Sequence, residues 1–182
     1  MGSQAGRTAI AESLSRRFGR DYTADHIFPT TGAAGALSHA MRAVTKPGDE
    51  VITFAPYFPE YQPYVDGTGA RLTVVPADTQ NFQINFEAFE GAMNPGVAAV
   101  LINTPNNPSG AVYSAETLTR LAEFLRAKQV EYGHDIFLIS DEPYREIVFD
   151  GGTQPYPSTF YDNTPSCYSY SKPLSLPGQR IG

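Results

Sequence analysis

Residues 97–110, VAAVLINTPNNPSG, join an unbroken apolar run to a cluster of turn-forming residues, and the fold class follows from that junction. The run 97–102 is preceded by Asn94, Pro95 and Gly96, and a continuous apolar stretch between breakers suits a parallel sheet covered on both faces. Pro105 and Pro108 stiffen the adjoining segment and Gly110 turns it, so Asn106 and Asn107 are held beyond the carboxyl end of the strand. Open α/β sheets bind ligands at that edge, and an amide there can donate a hydrogen bond to a ligand oxygen. Taken singly, an asparagine-rich turn is only a turn.

Toward the C-terminus, Ser114 is a helix cap, Glu116 lies in the first turn, and Leu118, Leu121, Ala122 and Leu125 form one buried stripe. Residues 136–139 are the next buried strand, which delivers Asp141 in SDEPY (140–144). A carboxylate at the end of an apolar strand is costly to bury without a partner, although it can also serve as a turn or helix cap. Tyr144 lies three residues on, on the same side, and Glu142 reads as a solvated or supporting neighbour.

Toward the N-terminus, strands are expected at 51–54 and 72–75, with a short helix carrying Phe86, Phe89 and Met93. The first strand ends in APYFPEY (55–61), whose prolines leave Tyr57, Phe58 and Tyr61 just past the sheet edge, where a ring can stack on a planar ligand. Ile27 and Phe28 stop at TTGAAGAL (30–37), after which Leu37, Ala40, Met41 and Val44 keep helical spacing. A strand, a small-residue turn and a helix start make an anion site, because unpaired backbone amides and the helix dipole both favour negative charge. Gly32, Ala33, Ala34 and Gly35 allow close approach, yet alone they are only a small-residue helix start. An opening helix over 8–18 places Ile10, Leu14 and Phe18 on one face, and residues 150–165 read as an irregular connection. Strands alternating with helices predict an α/β fold, a three-layer α/β/α arrangement around a mostly parallel central sheet.

The final stretch, CYSYSKPLSLPGQRIG (167–182), sets Lys172 after a β-type run, with Ser169 and Ser171 beside it and Arg180 beyond. A lysine amine whose charged form is disfavoured by desolvation or a nearby cation can form a Schiff base with an aldehyde, and arginine and serine can hold a phosphate. By itself this is a surface lysine near a Gly-Pro turn.

Bulk properties narrow the classes. A net charge of −6 with thirteen dispersed basic residues argues against a nucleic-acid surface. The single cysteine, Cys167, reads as a buried inert thiol in a reducing compartment. No apolar stretch is long enough for a transmembrane helix, no leader pattern is evident, and His26, His39 and His134 lack metal-ligand spacing. The default localisation is cytoplasmic.

Together, TTGAAGAL, APYFPEY, NTPNNPSG, SDEPY and SYSKPLSLPGQRIG resemble the fold-type I, class I/II aminotransferases of the aspartate aminotransferase kind. The resemblance implies pyridoxal 5′-phosphate as cofactor, with an amino group exchanged between an L-amino acid and a 2-oxo acid. It implies Lys172 as the Schiff-base lysine and proton carrier, Asp141 as partner of the pyridine nitrogen, and Asn107 and Tyr144 as partners of the phenolic oxygen. Phe58 would stack on the ring, and Ala33, Ala34, Ser169 and Arg180 would hold the phosphate. It further implies that residues 1–182 are part of a large cofactor-binding domain, with the small domain and its substrate-carboxylate arginine elsewhere, and that the full-length protein is a homodimer. Unpaired sheet edges then predict poor solubility for these residues alone. Within the same cofactor chemistry, a carbon–sulfur β-lyase or synthase is an alternative, and outside catalysis so is a cofactor-sensing domain of a transcriptional regulator.

Overall fold

The apolar runs form parallel strands: β1 (Glu50–Phe54), β2 (Arg71–Val75), β3 (Val97–Asn103), β4 (Phe137–Asp141) and the short β5 (Ser166–Cys167). The computed structural model describes residues 2–149 and 151–182; the first residue of the expected irregular connection, Asp150, lies outside the described residues. The five strands make one sheet in the order β2-β1-β3-β4-β5, with every neighbouring pair parallel. Helices α1 (Gln4–Phe18) and α2 (Gly32–Val44) precede the first strand, and α3 (Tyr61–Asp66), α4 (Phe86–Ala92) and α5 (Ala115–Tyr132) connect β1 to β2, β2 to β3 and β3 to β4.

Covering both faces explains why β3 is apolar without alternation. Val100 and Ile102 pack with Phe89, Leu118 and Leu121 from α4 and α5, whereas Ala99 and Leu101 pack with Leu37, Met41 and Tyr61 from α2 and α3. Successive residues thus enter opposite cores, and every position must be apolar. Leu121 and Leu125 are fully buried, and such burial contributes about 1.5–3 kcal/mol per side chain. The predicted α5 stripe and cap are both present: Ser114 Oγ accepts from Thr117 N at 3.0 Å.

Three local readings change. Helix α1 starts at Gln4, capped by Ser3, and packs chiefly on the 3₁₀ turn at Ala24–His26, so Ile10, Leu14 and Phe18 are half-buried and Ala11 alone is buried. Phe18 meets Tyr156, with ring centroids 4.0 Å apart. The β-type run before Lys172 pairs only through Ser166 and Cys167, because β4 turns away after Asp141 and Glu142 N donates the last bond of that ladder, to Cys167 O at 2.8 Å. The chain then forms a turn over residues 170–174 and returns, with Tyr170 N donating to Ile181 O at 3.1 Å and Gly182 exchanging two backbone bonds with Thr30. These bonds seat the lysine loop beside the start of α2. Glu142, expected to be solvated or supporting, is fully buried and ion-paired with Arg145 at 3.1 Å.

Cys167 is buried, and burial, then the nearby Asp141 and Glu142, pushes its thiol up, which fits an inert core cysteine. Among the described residues no helix is long and apolar enough to cross a membrane, and no group of three or more His, Cys, Asp or Glu side chains could hold a metal ion.

Candidate active site

Strand β4 ends on Asp141, which is 4% exposed. Its Oδ2 accepts from the Tyr61 hydroxyl at 2.6 Å, while Oδ1 is buried with no hydrogen-bond partner among the described residues. Burial lifts the carboxyl from an ordinary 3.8 to about 7, the Tyr61 bond acts in the opposite direction, and the neighbouring Glu142 adds to the rise. Burial, reinforced by Asp141, pushes the Tyr61 phenol well above its usual range. The site therefore contains a carboxylate oxygen with an open bonding position, in a setting where a cationic N–H would be the best occupant.

Asn103, at the end of β3, ties the asparagine turn to the backbone carbonyl of Asp141. Its Nδ2 donates to Asp141 O at 2.8 Å, and its Oδ1 accepts from Asn107 N at 2.6 Å. Asn106 is occupied within its own turn: Nδ2 donates to Pro56 O at 3.1 Å and Oδ1 accepts from Ser109. The side-chain amide of Asn107 makes no hydrogen bond among the described residues, so the structure separates a turn-forming asparagine from one with a free amide. The half-buried Phe58 meets Tyr61 edge-on, with centroids 5.8 Å apart.

The second half of the site forms where α2 begins. Gly32 has φ +74°, a conformation glycine takes without penalty, and Ala33 and Ala34 come next in the first turn. The N-cap residue, Thr31, makes no side-chain bond to the amides of that turn. Arg180 Nη2 approaches Thr31 O at 3.4 Å, and a Cβ on Gly32 would lie 2.9 Å from the same nitrogen. Free helix amides beside a guanidinium make an anion cradle. Ser169 is buried, and its Oγ donates to Ser171 Oγ at 2.8 Å and accepts from Ser171 N at 3.1 Å.

Lys172 lies in the 170–174 turn and is exposed, with Nζ 5.6 Å from the ring centroid of the half-buried Tyr144. The desolvation expected around this amine is therefore not provided by the described residues. The Tyr64 hydroxyl donates to Glu60 Oε2 at 2.6 Å.

A profile of the class I and II aminotransferases matches residues 1–182. The chain belongs to that family. Its similarity to an arginine–pyruvate transaminase of Pseudomonas aeruginosa is 35% identity, over 100% of this chain and 45% of that protein. An aspartate aminotransferase of Thermotoga maritima is 34% identical, over 97% of this chain and 46% of its own length. The crystal structure of an aminotransferase from Eubacterium rectale matches with TM-score 0.98 and 54% identity over 100% of this chain and 46% of that one. The aspartate aminotransferase of Thermus thermophilus, solved with maleate, matches with TM-score 0.90 and 32% identity, again over 100% of this chain and 46% of its own. The chain thus spans about half the length of these family members.

Within this family chain, two site residues have roles that the sequence does not assign. Tyr61 is there only one of three aromatics past β1, and its bond to Asp141 joins residues 80 apart. Asn103 is there only the first letter of a turn, and its bridging role becomes visible once β3 and β4 are neighbours. Neither spacing nor periodicity carries a signal for such contacts.

Proposed function

We propose that the intact protein transfers an amino group between an L-amino acid and a 2-oxo acid, using pyridoxal 5′-phosphate held largely by the residues of this chain. The observation that carries the reading is Asp141 Oδ1, a buried carboxylate oxygen with no partner at the carboxyl edge of the sheet. A pyridinium N–H satisfies it, and orphaned buried acceptors are otherwise expensive. The residues fit the remainder of that cofactor as well. Ala33 and Ala34 offer amides, Arg180 a guanidinium and Ser169 a hydroxyl for the phosphate, and the Gly32 position is open where a Cβ would press on Arg180. Asn107 has a free amide for the phenolic oxygen, Tyr144 approaches from the lysine side, and Phe58 offers a ring face.

When bound, pyridoxal phosphate supplies an aldehyde that condenses with amines and a protonated ring that withdraws electrons from the substrate α-carbon. Lys172 would supply the amine that holds the cofactor covalently, and its Nζ would be the base and acid that moves a proton at the substrate α-carbon. Asp141 keeps the ring nitrogen protonated, while Asn107 and Tyr144 fix the phenolic oxygen. Arg180, Ser169 and the α2 amides would anchor the phosphate end, which fixes the orientation of the group relative to Lys172. The wider reading makes residues 1–182 part of a large cofactor domain in a cytoplasmic homodimer, and sedimentation of the intact protein checks the dimer.

The test is the visible absorption spectrum of the intact protein with added cofactor, wild type against Lys172→Ala. The wild type is expected to show a cofactor band that borohydride fixes onto residue 172, together with keto-acid-dependent amino exchange. Equal spectra for the two proteins overturn the reading.

A further inference from the structure

Asp141 is held by more than its own strand. Its Oδ2 accepts from the hydroxyl of Tyr61, a fully buried residue at the start of α3, in a different layer from β4. The terminal torsion of an aspartate is soft, so a donor on one oxygen decides how the other is presented. Tyr61 is itself restrained, with Phe58 edge-on at 5.8 Å and Tyr57 stacked at 6.3 Å between centroids.

Burial works against an ionised carboxylate, and few groups oppose it here. Glu142 is next in the chain, Cys167 on β5 and Tyr64 on α3 lie within electrostatic reach, and Tyr144 lies beyond β4. None of these is a cation. The ionisable residues of α2, His39 and Arg42, are exposed, and among the described residues no lysine, arginine or histidine forms an ion pair with Asp141. The Tyr61 hydroxyl is the side-chain donor that favours the charged form.

We propose that Tyr61 is a positioning residue for the cofactor ring: by binding Oδ2 it presents Oδ1 of Asp141 to the ring nitrogen and keeps that carboxylate ionised. The inference rests on the pyridoxal phosphate reading above. One proton is shared between Oδ1 and the nitrogen, and a donor on Oδ2 stabilises the carboxylate anion, so the proton stays on the nitrogen. Without that donor the balance moves toward a neutral acid facing a neutral pyridine, and the ring loses electron-withdrawing power.

The test uses the intact protein with cofactor isotopically labelled at the ring nitrogen, read by NMR, and the apoprotein with labelled aspartate carboxyls titrated with pH. Tyr61→Phe is expected to raise the Asp141 midpoint by about one to two pH units, the tenfold to hundredfold effect of a hydrogen bond to a charge. It is also expected to move the ring nitrogen signal toward neutral pyridine. Replacing Tyr61 with 3-fluorotyrosine, which keeps the ring and strengthens the donor, is expected to move both signals the other way. This second variant decides the matter if the phenylalanine protein fails to fold. Cofactor attachment at Lys172 with wild-type signals in the variants overturns the role of Tyr61 and leaves the cofactor reading standing. A wild type that takes up no cofactor sinks that reading, and this inference with it.

Discussion

Replacing Arg145 with methionine isolates the buried charge beneath the site. Glu142 is fully buried and Arg145 is 8% exposed, and Arg145 Nη1 lies 3.1 Å from Glu142 Oε2. The guanidinium is surrounded by the rings of Phe18, Tyr156 and Tyr168, at 5.2, 5.4 and 4.4 Å from their centroids. Among the described residues Glu142 Oε1 has no hydrogen-bond partner, although the buried Ser140 and Ser166 hydroxyls lie beside it. Removing the arginine therefore leaves an unpaired buried carboxylate, which costs about 3–5 kcal/mol. Burial already holds the Glu142 carboxyl above its ordinary 4.5, with Arg145 pulling it down, so the variant's carboxyl rises further. An acid raised on folding stabilises below its unfolded pKa and loses that stability as pH climbs through the folded value. The penalty in Arg145→Met should thus be largest near pH 8 and markedly smaller near pH 5, where Glu142 takes a proton. Urea unfolding of the intact protein at both pH values measures it, and adding Glu142→Gln should recover at least half of the loss at pH 8. A loss below about 1 kcal/mol at pH 8, or an equal loss at both pH values, refutes the reasoning.

Other outcomes rest on the same geometry. Asp141, raised from 3.8 to about 7, makes the apoprotein lose stability as pH rises between those values, a contribution of about 4 kcal/mol in full. Asp141→Asn should flatten that part of the apoprotein's melting-temperature profile. Gly32→Ala forces a side chain into a left-handed conformation, at about 1–2 kcal/mol, and sets its Cβ 2.9 Å from Arg180 Nη2. Its cofactor or inorganic phosphate affinity, measured by calorimetry, should fall by about tenfold, the loss of one good charge-assisted contact.

Much of the fold was legible because it is written in local chemistry. The apolar runs at 51–54, 97–102 and 136–139 could only be strands buried on both faces, and β1, β3 and β4 occupy the middle of the sheet. The Ser114 cap and the leucine stripe of α5 were readable for the same reason. Less legible were α1, whose apolar face finds only partial cover, and the run before Lys172, where β propensity in Tyr168 and Tyr170 yields to a turn closed by Ile181 and Gly182. The burial of Glu142 depended on Arg145 and three aromatic rings converging from distant segments. Of the candidate site, Asp141 stood out at the end of its strand and Asn107 was separated from Asn106 only by the family resemblance, whereas Tyr61 and Asn103 acquire their roles only through neighbours across the sheet.

By itself the sequence determined the alternation of strands and helices, and with it the edge at which the functional side chains gather, since strand direction and breakers are properties of consecutive residues. Tertiary structure alone decided which carboxylate oxygen is occupied and which left open, which asparagine is free, and that Arg180 rests against the first turn of α2. Those outcomes depend on hydrogen bonds between residues tens of positions apart, whose geometry exists only after β1, β3, β4 and the lysine loop are packed together.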